Sequence, residues 1–194
     1  MTRVVAITQR VMACAHGEVR LALDVRWARF LAACDLVGVP LPLDPGLAVR
    51  TLRRTGCSGL VLTGGEGIGV WPARDELERE LLRFATDNAF PVVAVCRGMQ
   101  VVLHAFGVEL RRVAGHTATT HALSGVHGGR VVNSYHDWSA LSAPPEFEVT
   151  ARHGPVVEAV RHRVAPLTGI MWHPERTVVP ESADVALFEE ALAG

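Results

Sequence analysis

The segment that most constrains the fold is residues 91–106, PVVAVCRGMQVVLHAF. Its β-branched run from Val92 to Val95 predicts a buried strand, and the amphipathic run after Gly98 predicts a helix. Cys96 then lies at a sharp strand-to-helix turn, beside the backbone N–H groups that begin the helix. Those donors and the helix dipole favour thiolate over thiol, which suits a nucleophile. A small apolar core cysteine is the alternative, because a catalytic cysteine also needs a base.

Composition limits the class of protein. The chain has 194 residues, 49% of them hydrophobic and 20% charged, with a formal net charge of −1. This length can bury a core as one domain, and we expect residues 1–194 to form it. Near-neutral charge argues against a nucleic-acid partner, and the apolar run at residues 2–8 is too short for a signal peptide or a membrane span. We therefore expect a cytoplasmic protein with no membrane partner.

Strand and helix patterns alternate along the chain. They predict strands at residues 3–8, 39–42, 60–63, 92–95, 108–113, 130–133, 147–150, 156–160 and 168–172. They predict helices from Asp24 to Gly38, over 47–54, over 75–90 and after Gly98, whereas residues 11–23 show no clear period. The strands at 147–150 and 156–160 are expected to form an antiparallel hairpin.

A glycine cluster, GGEGIG at residues 64–69, directly follows the strand at 60–63. Glycines after a parallel strand let the backbone approach a ligand and turn its N–H groups inward. The cluster lacks the Lys-Ser/Thr ending of a Walker loop and does not match G-x-G-x-x-G. It is thus either a ligand-binding loop or a plain tight turn.

Three histidines, His116, His121 and His127, lie in the polar segment 115–129. No carboxylate or cysteine accompanies them there, and H-T-A-T-T-H lacks the i, i+4 helical spacing of zinc-binding helices. We therefore expect a substrate-covering loop, no metal site and no cofactor. The four cysteines contain no C-x-x-C pair, which indicates reduced thiols rather than a zinc ribbon or a disulfide framework.

A possible partner for the cysteine stands at the exit of the strand at 168–172, where the sequence reads His173-Pro-Glu175. The proline stiffens the turn, so both side chains can project into one cleft. An imidazole beside a carboxylate is what a cysteine nucleophile needs: a proton acceptor and donor, and a group that orients it. Alone, the motif is more typical of a surface turn than of a catalytic pair. Together with Cys96 at the same expected edge of a parallel sheet, it indicates a catalytic site.

Four blocks of the sequence resemble the signature blocks of class I glutamine amidotransferases. They are residues 63–66 (TGGE), 91–100 (PVVAVCRGMQ), 132–136 (VNSYH) and 169–176 (GIMWHPER). Within that superfamily they are most similar to the γ-glutamyl hydrolase branch. The resemblance implies an α/β, flavodoxin-like three-layer sandwich, with a mostly parallel central sheet, helices on both faces and a small antiparallel hairpin. It also implies a Cys-His-Glu triad and a γ-glutamyl thioester intermediate.

The resemblance carries roles over to matching positions. The nucleophile, the general base and then acid, and its orienting partner would be Cys96, His173 and Glu175. The oxyanion hole would consist of the backbone N–H groups of Gly65 and Arg97. The glutamyl group would be held at Gln100, Ser134, Tyr135 and His136. One departure is Ala94, since the turn usually has glycine two residues before the cysteine.

The reaction class stays open between several hypotheses. One is a γ-glutamyl hydrolase that releases L-glutamate from a small-molecule amide, such as a γ-glutamyl-polyamine or γ-glutamyl-aminobutyrate. Residues 7–11 and 23–27 add a similarity to bacterial γ-glutamyl-CDP-amidate hydrolases, which implies a nucleotide phosphoramidate substrate. Arg10 and Arg26 would then meet the diphosphate, or else be solvated surface arginines. A glutaminase subunit serving a partner synthetase, a non-catalytic relative and a homodimer remain alternatives.

Overall fold

The computed structural model describes residues 2–193. The strands are β1 (Arg3–Ile7), β2 (Arg10–Ala13), β3 (Val19–Ala22), β4 (Leu36–Pro40), β5 (Gly59–Leu62), β6 (Val92–Val95), β7 (Arg111–Arg112), β8 (Thr117–Ala122), β9 (Ser124–Gly125), β10 (Val131–Tyr135), β11 (Trp138–Ser139), β12 (Phe147–His153), β13 (Val156–His162) and β14 (Leu167–Ile170). The helices are α1 (Arg26–Ala33), α2 (Pro45–Arg54), α3 (Pro72–Asp87), α4 (Arg97–Ala105) and α5 (Ser182–Ala191), with short 3-10 turns at Ala15–Gly17 and Pro174–Arg176.

The central sheet has eight strands in the order β4-β1-β5-β6-β14-β13-β12-β9. The first five are parallel to one another, and β13, β12 and β9 continue the sheet with antiparallel pairing. Strands β6 and β14 are direct parallel neighbours, with Val95 opposite Ile170. The segments that leave their carboxyl ends therefore start at the same edge of the sheet, where ligands commonly bind in open α/β sheets.

Alternating side chains of the buried strands pack into two separate hydrophobic cores, one on each face of the sheet. In β5, Leu60 and Leu62 pack with residues of α2, α3 and α4, whereas Val61 packs with residues of α1 and α5. A strand that is apolar on both faces must be covered on both sides, since successive side chains point in opposite directions. The result is the expected flavodoxin-like three-layer sandwich. The expected antiparallel hairpin is β12–β13.

The predicted C-terminal boundary of the first helix was wrong. The helix ends at Ala33 rather than continuing to Gly38, and Leu36 begins the edge strand β4. Asp35 has a φ of 51° and reverses the chain between the two elements. The burial of Leu36 therefore comes from pairing beside β1, opposite Arg3, and not from a helical face.

Three two-stranded ribbons lie outside the central sheet: β2–β3, β8–β10 and β7–β11. The prediction of a loop over 115–129 was wrong for the part that forms β8 and β9, and residues 11–23 contain most of the β2–β3 ribbon. In β8, threonines at 117, 119 and 120 favour extended backbone although little of the strand is buried. Within residues 2–193, none of the helices has the length and apolar character needed to cross a bilayer.

Candidate active site

Cys96 lies on the sharp turn between β6 and α4. Its φ of 53° and ψ of −108° are rarely adopted by a residue with a side chain, and its N–H donates to the carbonyl of Ile170 at 2.7 Å. Such strain persists only where the surrounding structure imposes it, and it is typical of nucleophile turns. The side chain is 5% exposed. The thiol is therefore held in a fixed orientation at the carboxyl edge of the sheet.

Gly98 allows the first turn of α4 to lie directly against β5. A Cβ at this position would be 2.4 Å from the carbonyl oxygen of Leu62, far closer than two such atoms can approach. This contact brings Cys96 next to the glycine cluster that follows β5. Ala94, two residues before the cysteine, is fully buried in β6 and its methyl group is accommodated.

His173 and Glu175 leave the neighbouring strand, β14. Nδ1 of His173 lies 2.8 Å from Oε1 of Glu175, and both side chains are buried. Burial lowers the pKa of His173, but the charge of Cys96 and its hydrogen bond with the imidazole, together with Glu175, outweigh burial and raise that pKa to about 9. The structure thus brings together the three residues predicted to be catalytic, with the imidazole between thiol and carboxylate.

The glycine cluster forms one wall of the site. A Cβ at Gly64 would lie 2.6 Å from Cε1 of His173, so only glycine leaves room for the imidazole. Gly65 has a φ of 148°. In the part of the chain that the structure describes, the backbone N–H groups of Gly65 and Arg97 donate to no protein acceptor. Free N–H groups in this position can bind an anionic oxygen.

A buried ion-pair network supports both of these backbone segments, and the sequence did not predict it. Arg74 donates from Nη2 to the carbonyls of Thr63 (3.0 Å) and Gly64 (2.9 Å), and from Nε to Glu78 at 3.0 Å. Glu78 also pairs with Arg97, the first residue of α4, which in turn pairs with Asp75. This network connects the glycine cluster to the start of the helix. A charged pattern on α3, with Arg and Glu at i, i+4, was the only sequence indication of it.

The predicted glutamyl-binding residues differ in whether their side chains contact the candidate triad. The Tyr135 ring lies 5.7 Å from that of His173, at the site. Gln100 is buried on α4 and donates to the carbonyl of Trp138 at 2.7 Å. Ser134 is fully buried, and its hydroxyl donates to the carbonyl of His116 at 2.6 Å. Of the three side chains, that of Tyr135 makes the contact with the candidate triad.

Two arginines line a cleft beside His173 and Glu175: Arg10, whose guanidinium is paired with Glu66, and Arg176. The guanidinium of Arg176 lies 4.4 Å from the centre of the Tyr135 ring. Arg26, which the sequence placed near a phosphorylated leaving group, is not among the cleft residues. Its guanidinium is held by Asp24 through two hydrogen bonds of 2.9 and 2.6 Å. Sequence reasoning missed Arg176, although it directly follows the His-Pro-Glu turn.

His136 lies away from the cleft. Together with His116 and His121 it surrounds the carboxylate of Glu158, which comes from β13. His127 is outside this cluster. The structure therefore supplies a carboxylate that the sequence around these histidines does not show.

Comparison with known proteins places this geometry in a family. The family model for glutamine amidotransferase class-I matches residues 38–191. A carbamoyl phosphate synthase small chain of Desulfovibrio desulfuricans is 24% identical, over 82% of this chain and 43% of that protein. The γ-glutamyl-CDP-amidate hydrolase of Campylobacter jejuni is 24% identical, over 89% of this chain and 90% of its own.

The fold of this chain is similar to that of solved structures. The CTPS glutaminase domain of Trypanosoma brucei, solved with bound acivicin, superposes with a TM-score of 0.71 at 17% identity, over 99% of this chain and 94% of that chain. This chain spans less than half the length of the carbamoyl phosphate synthase small chains that it matches. The family match includes the Cys96 turn and the His173–Glu175 pair. The chain belongs to the class-I glutamine amidotransferase family.

Proposed function

We propose that this protein is a γ-glutamyl hydrolase that uses Cys96 as its nucleophile and releases L-glutamate from a γ-glutamyl amide. The observation that carries the proposal is that His173, whose Nδ1 lies 2.8 Å from Glu175, leaves β14 directly beside the turn of β6 that holds Cys96. Cysteine amide hydrolysis requires this order of thiol, base and orienting carboxylate.

In the acylation step, the Cys96 thiolate attacks the γ-carbonyl carbon, and the carbonyl π electrons move onto oxygen. The N–H groups of Gly65 and Arg97 stabilise that oxyanion, and loss of one such donor typically reduces the rate by about 10²–10³-fold. Protonated His173 then donates its proton to the leaving nitrogen as the C–N bond breaks. The products of this step are the free amine and a γ-glutamyl thioester.

In the deacylation step, neutral His173 removes a proton from water, which attacks the thioester carbonyl. The C–S bond breaks, glutamate leaves, and His173 and Cys96 return to their starting protonation states. Glu175 holds the Nδ1–H tautomer and stabilises the imidazolium in both steps. Tyr135 would contact the α-amino or α-carboxylate group of the glutamyl moiety. Gln100 and Ser134 are buried and bonded to backbone carbonyls, so they would act by positioning the segments around that group.

The leaving group that the cleft favours is a phosphorylated one. Arg10 and Arg176 line the cleft beside His173, and guanidinium groups match phosphate oxygens in charge and in bidentate geometry. The relative from C. jejuni is named for a γ-glutamyl-CDP-amidate substrate, which contains a diphosphate. We therefore propose a nucleotide phosphoramidate as the amine component, with Arg10 and Arg176, rather than Arg26, as its phosphate ligands.

A second candidate function is that of a glutaminase subunit, which supplies ammonia to a partner synthetase. The similarity to carbamoyl phosphate synthase small chains favours it. The two functions share the triad and differ in the leaving group, since ammonia requires no arginine. Glutamine hydrolysis that depends on an added synthetase would support this second function.

The experiment compares glutamate release from three substrates: glutamine, γ-glutamyl-aminobutyrate and a γ-glutamyl nucleotide phosphoramidate. Cys96→Ala and treatment with acivicin should each abolish turnover of whichever substrate is cleaved, and retained activity in Cys96→Ala would refute the triad. Arg10→Ala and Arg176→Ala should raise KM for the phosphoramidate more than KM for γ-glutamyl-aminobutyrate. The matched control is Arg20→Ala, because Arg20 is exposed and paired with Glu18 outside the cleft. Equal effects on all substrates would contradict the phosphate assignment.

A further inference from the structure

A carboxylate with no conventional partner lies in the interior, away from the Cys96 site. Glu158 on β13 is fully buried, and neither of its oxygens accepts a hydrogen bond within the described residues. A buried, unpartnered carboxylate is strongly unfavourable, because it loses its hydration without compensation. A positively charged partner at this position would remove that cost.

Imidazole nitrogens surround that carboxylate. Nδ1 of His116 lies 3.2 Å from Oε1 of Glu158, and Nε2 of both His121 and His136 lies 3.4 Å from the same oxygen. All three of these nitrogens are buried without a hydrogen-bond partner. His116, His136 and Glu158 each offer a ligand atom within 4.8 Å of the others. The side chains come from three separate parts of the chain, around β8, after β10 and on β13, so the cluster is a product of the fold.

The three nitrogens lie at similar distances from one carboxylate oxygen, as ligands around a shared metal ion would. Zinc bonds to nitrogen and oxygen of about 2.0–2.1 Å place neighbouring ligand atoms of a tetrahedron about 3.3 Å apart. The observed distances of 3.2, 3.4 and 3.4 Å from the carboxylate oxygen agree with that separation. A neutral hydrogen bond between these groups would normally be shorter, near 2.9 Å.

The backbone contact of His136 fixes which of its ring nitrogens can bind a metal ion. Nδ1 of His136 lies 3.2 Å from the carbonyl oxygen of Trp138, and as an N–H donor to that oxygen it leaves the lone pair of Nε2 free. This arrangement, in which a backbone carbonyl orients the imidazole, is common around metal-binding histidines. His153 behaves in the same way at the edge of the cluster: its Nδ1 lies 3.0 Å from the carbonyl of Ala122, and its ring stacks on that of His121.

We propose that His116, His136 and Glu158 bind one divalent transition-metal ion, with zinc as the best match to imidazole and carboxylate ligands. His121, whose Nε2 lies 3.4 Å from the same Glu158 oxygen, would complete the coordination. These four side chains are at most 7% exposed, which is typical of a closed, structural zinc site rather than a catalytic one with an open position. The site is independent of the hydrolysis at Cys96, which requires no metal.

The proposed ion would join two layers of the protein. His121 belongs to β8 and His136 follows β10, the two strands of a ribbon outside the central sheet, whereas Glu158 lies on β13 within the sheet. The same ribbon carries Ser134 and Tyr135. Coordination would therefore fix the ribbon, and with it one side of the candidate active site, onto the sheet.

The test begins with the whole protein, stripped of metal by dipicolinate and titrated with Zn²⁺ or Co²⁺. We expect one equivalent of Zn²⁺ to bind and to raise the melting temperature in proportion to the logarithm of its concentration. Co²⁺ should give the intense visible absorption of a four-coordinate site. Both measurements use the unaltered chain, so they decide the proposal even if a variant fails to fold.

Variants then locate the site. Glu158→Gln and His116→Ala should lose stoichiometric Zn²⁺ binding and the associated rise in melting temperature. The control is His127→Ala, which removes a histidine of the same segment that lies outside the cluster and should bind one equivalent as before. A metal-free protein that binds no stoichiometric Zn²⁺, or Glu158→Gln that binds it as well as the unaltered protein, would overturn the proposal and leave a protonated histidine as the partner of Glu158.

Discussion

The side-chain amide of Asn133 makes hydrogen bonds with both the N–H and the carbonyl of the His173 backbone. Its Nδ2 donates to the His173 carbonyl and its Oδ1 accepts from the His173 N–H, each at 2.8 Å. Asn133 lies on β10, outside the central sheet, and His173 follows β14 within it. A single amide side chain thus fixes the position from which the imidazole projects. Asn133 is a positioning residue for the candidate base.

Replacing Asn133 by alanine should lower kcat by about 10²-fold, because small misplacement of a catalytic group has effects of that size. Asn133→Ala should bind substrate with little change in KM, since Asn133 contacts the histidine backbone. The measurement is steady-state hydrolysis of the preferred γ-glutamyl substrate. Asn88→Ala is the control, because Asn88 is exposed at the end of α3 and bonds only within that helix. Unchanged kcat in a folded Asn133→Ala protein would show that these two hydrogen bonds do not position His173.

The sequence predicted the parts of the site that follow single buried strands. Cys96, the glycine cluster and His173 each come directly after a run of apolar residues, so local pattern was enough to place them at one sheet edge. Asn133 and Arg176 lie within the family-like blocks 132–136 and 169–176, but their roles depend on which element packs opposite them. Glu158 is far from the histidines in sequence, and only the packing of the β8–β10 ribbon beside β13 brings it to them.

Boundaries and ribbons were predicted less well than the buried strands. Where α1 ends depends on the positive φ of Asp35, which hydrophobic spacing does not reveal. The ribbon strand β8 buries little surface, so its periodicity is weak. The terminal helix α5 was not predicted, although Phe188 and Leu192 contribute to the core beside α1. These elements are defined by long-range contacts, which a local pattern cannot encode.

The His173–Glu175 pair should make stability depend on pH. Burial lowers the pKa of His173, yet Cys96 and Glu175 raise it from an ordinary 6.5 to about 9. Because the folded-state pKa is higher than the unfolded one, the stabilisation is complete below about pH 6.5 and is lost as the pH rises through about 9. The free energy of unfolding, measured with denaturant between these pH values, should decrease accordingly.

Glu175→Gln should weaken that dependence, because it removes a charge that favours the imidazolium. The pKa of His173 should fall, so the alkaline limb of kcat/KM, where the proton donor is lost, should move to lower pH. Glu76→Gln, an exposed carboxylate on α3, is the control and should leave both profiles in place. A Glu175→Gln profile that moves to higher pH would contradict the assigned role.

Glu78 should be the most important carboxylate for stability, because it is fully buried between Arg74 and Arg97. Glu78→Gln would leave two guanidinium groups without their shared counter-charge, and breaking a buried pair in this way typically costs about 3–5 kcal/mol. The control is Glu80→Gln on the same helix, whose partner Arg83 is exposed, so that loss of the pair should change the free energy of unfolding far less. Denaturant unfolding of both variants measures the difference, and equal values would mean that the network contributes little.

Gly98 gives the last prediction, because it controls the contact between α4 and β5. A Cβ there would lie 2.4 Å from the Leu62 carbonyl oxygen, so Gly98→Ala must push the helix start away from the strand. Overpacking of this kind costs about 1–3 kcal/mol. Since Cys96 and the Arg97 N–H move with the helix, turnover should fall more than stability alone explains. Gly67→Ala, where no atom lies within 4 Å of the added carbon, is the matched control for denaturant unfolding. A Gly98→Ala protein as stable as Gly67→Ala would show that the close approach is not required.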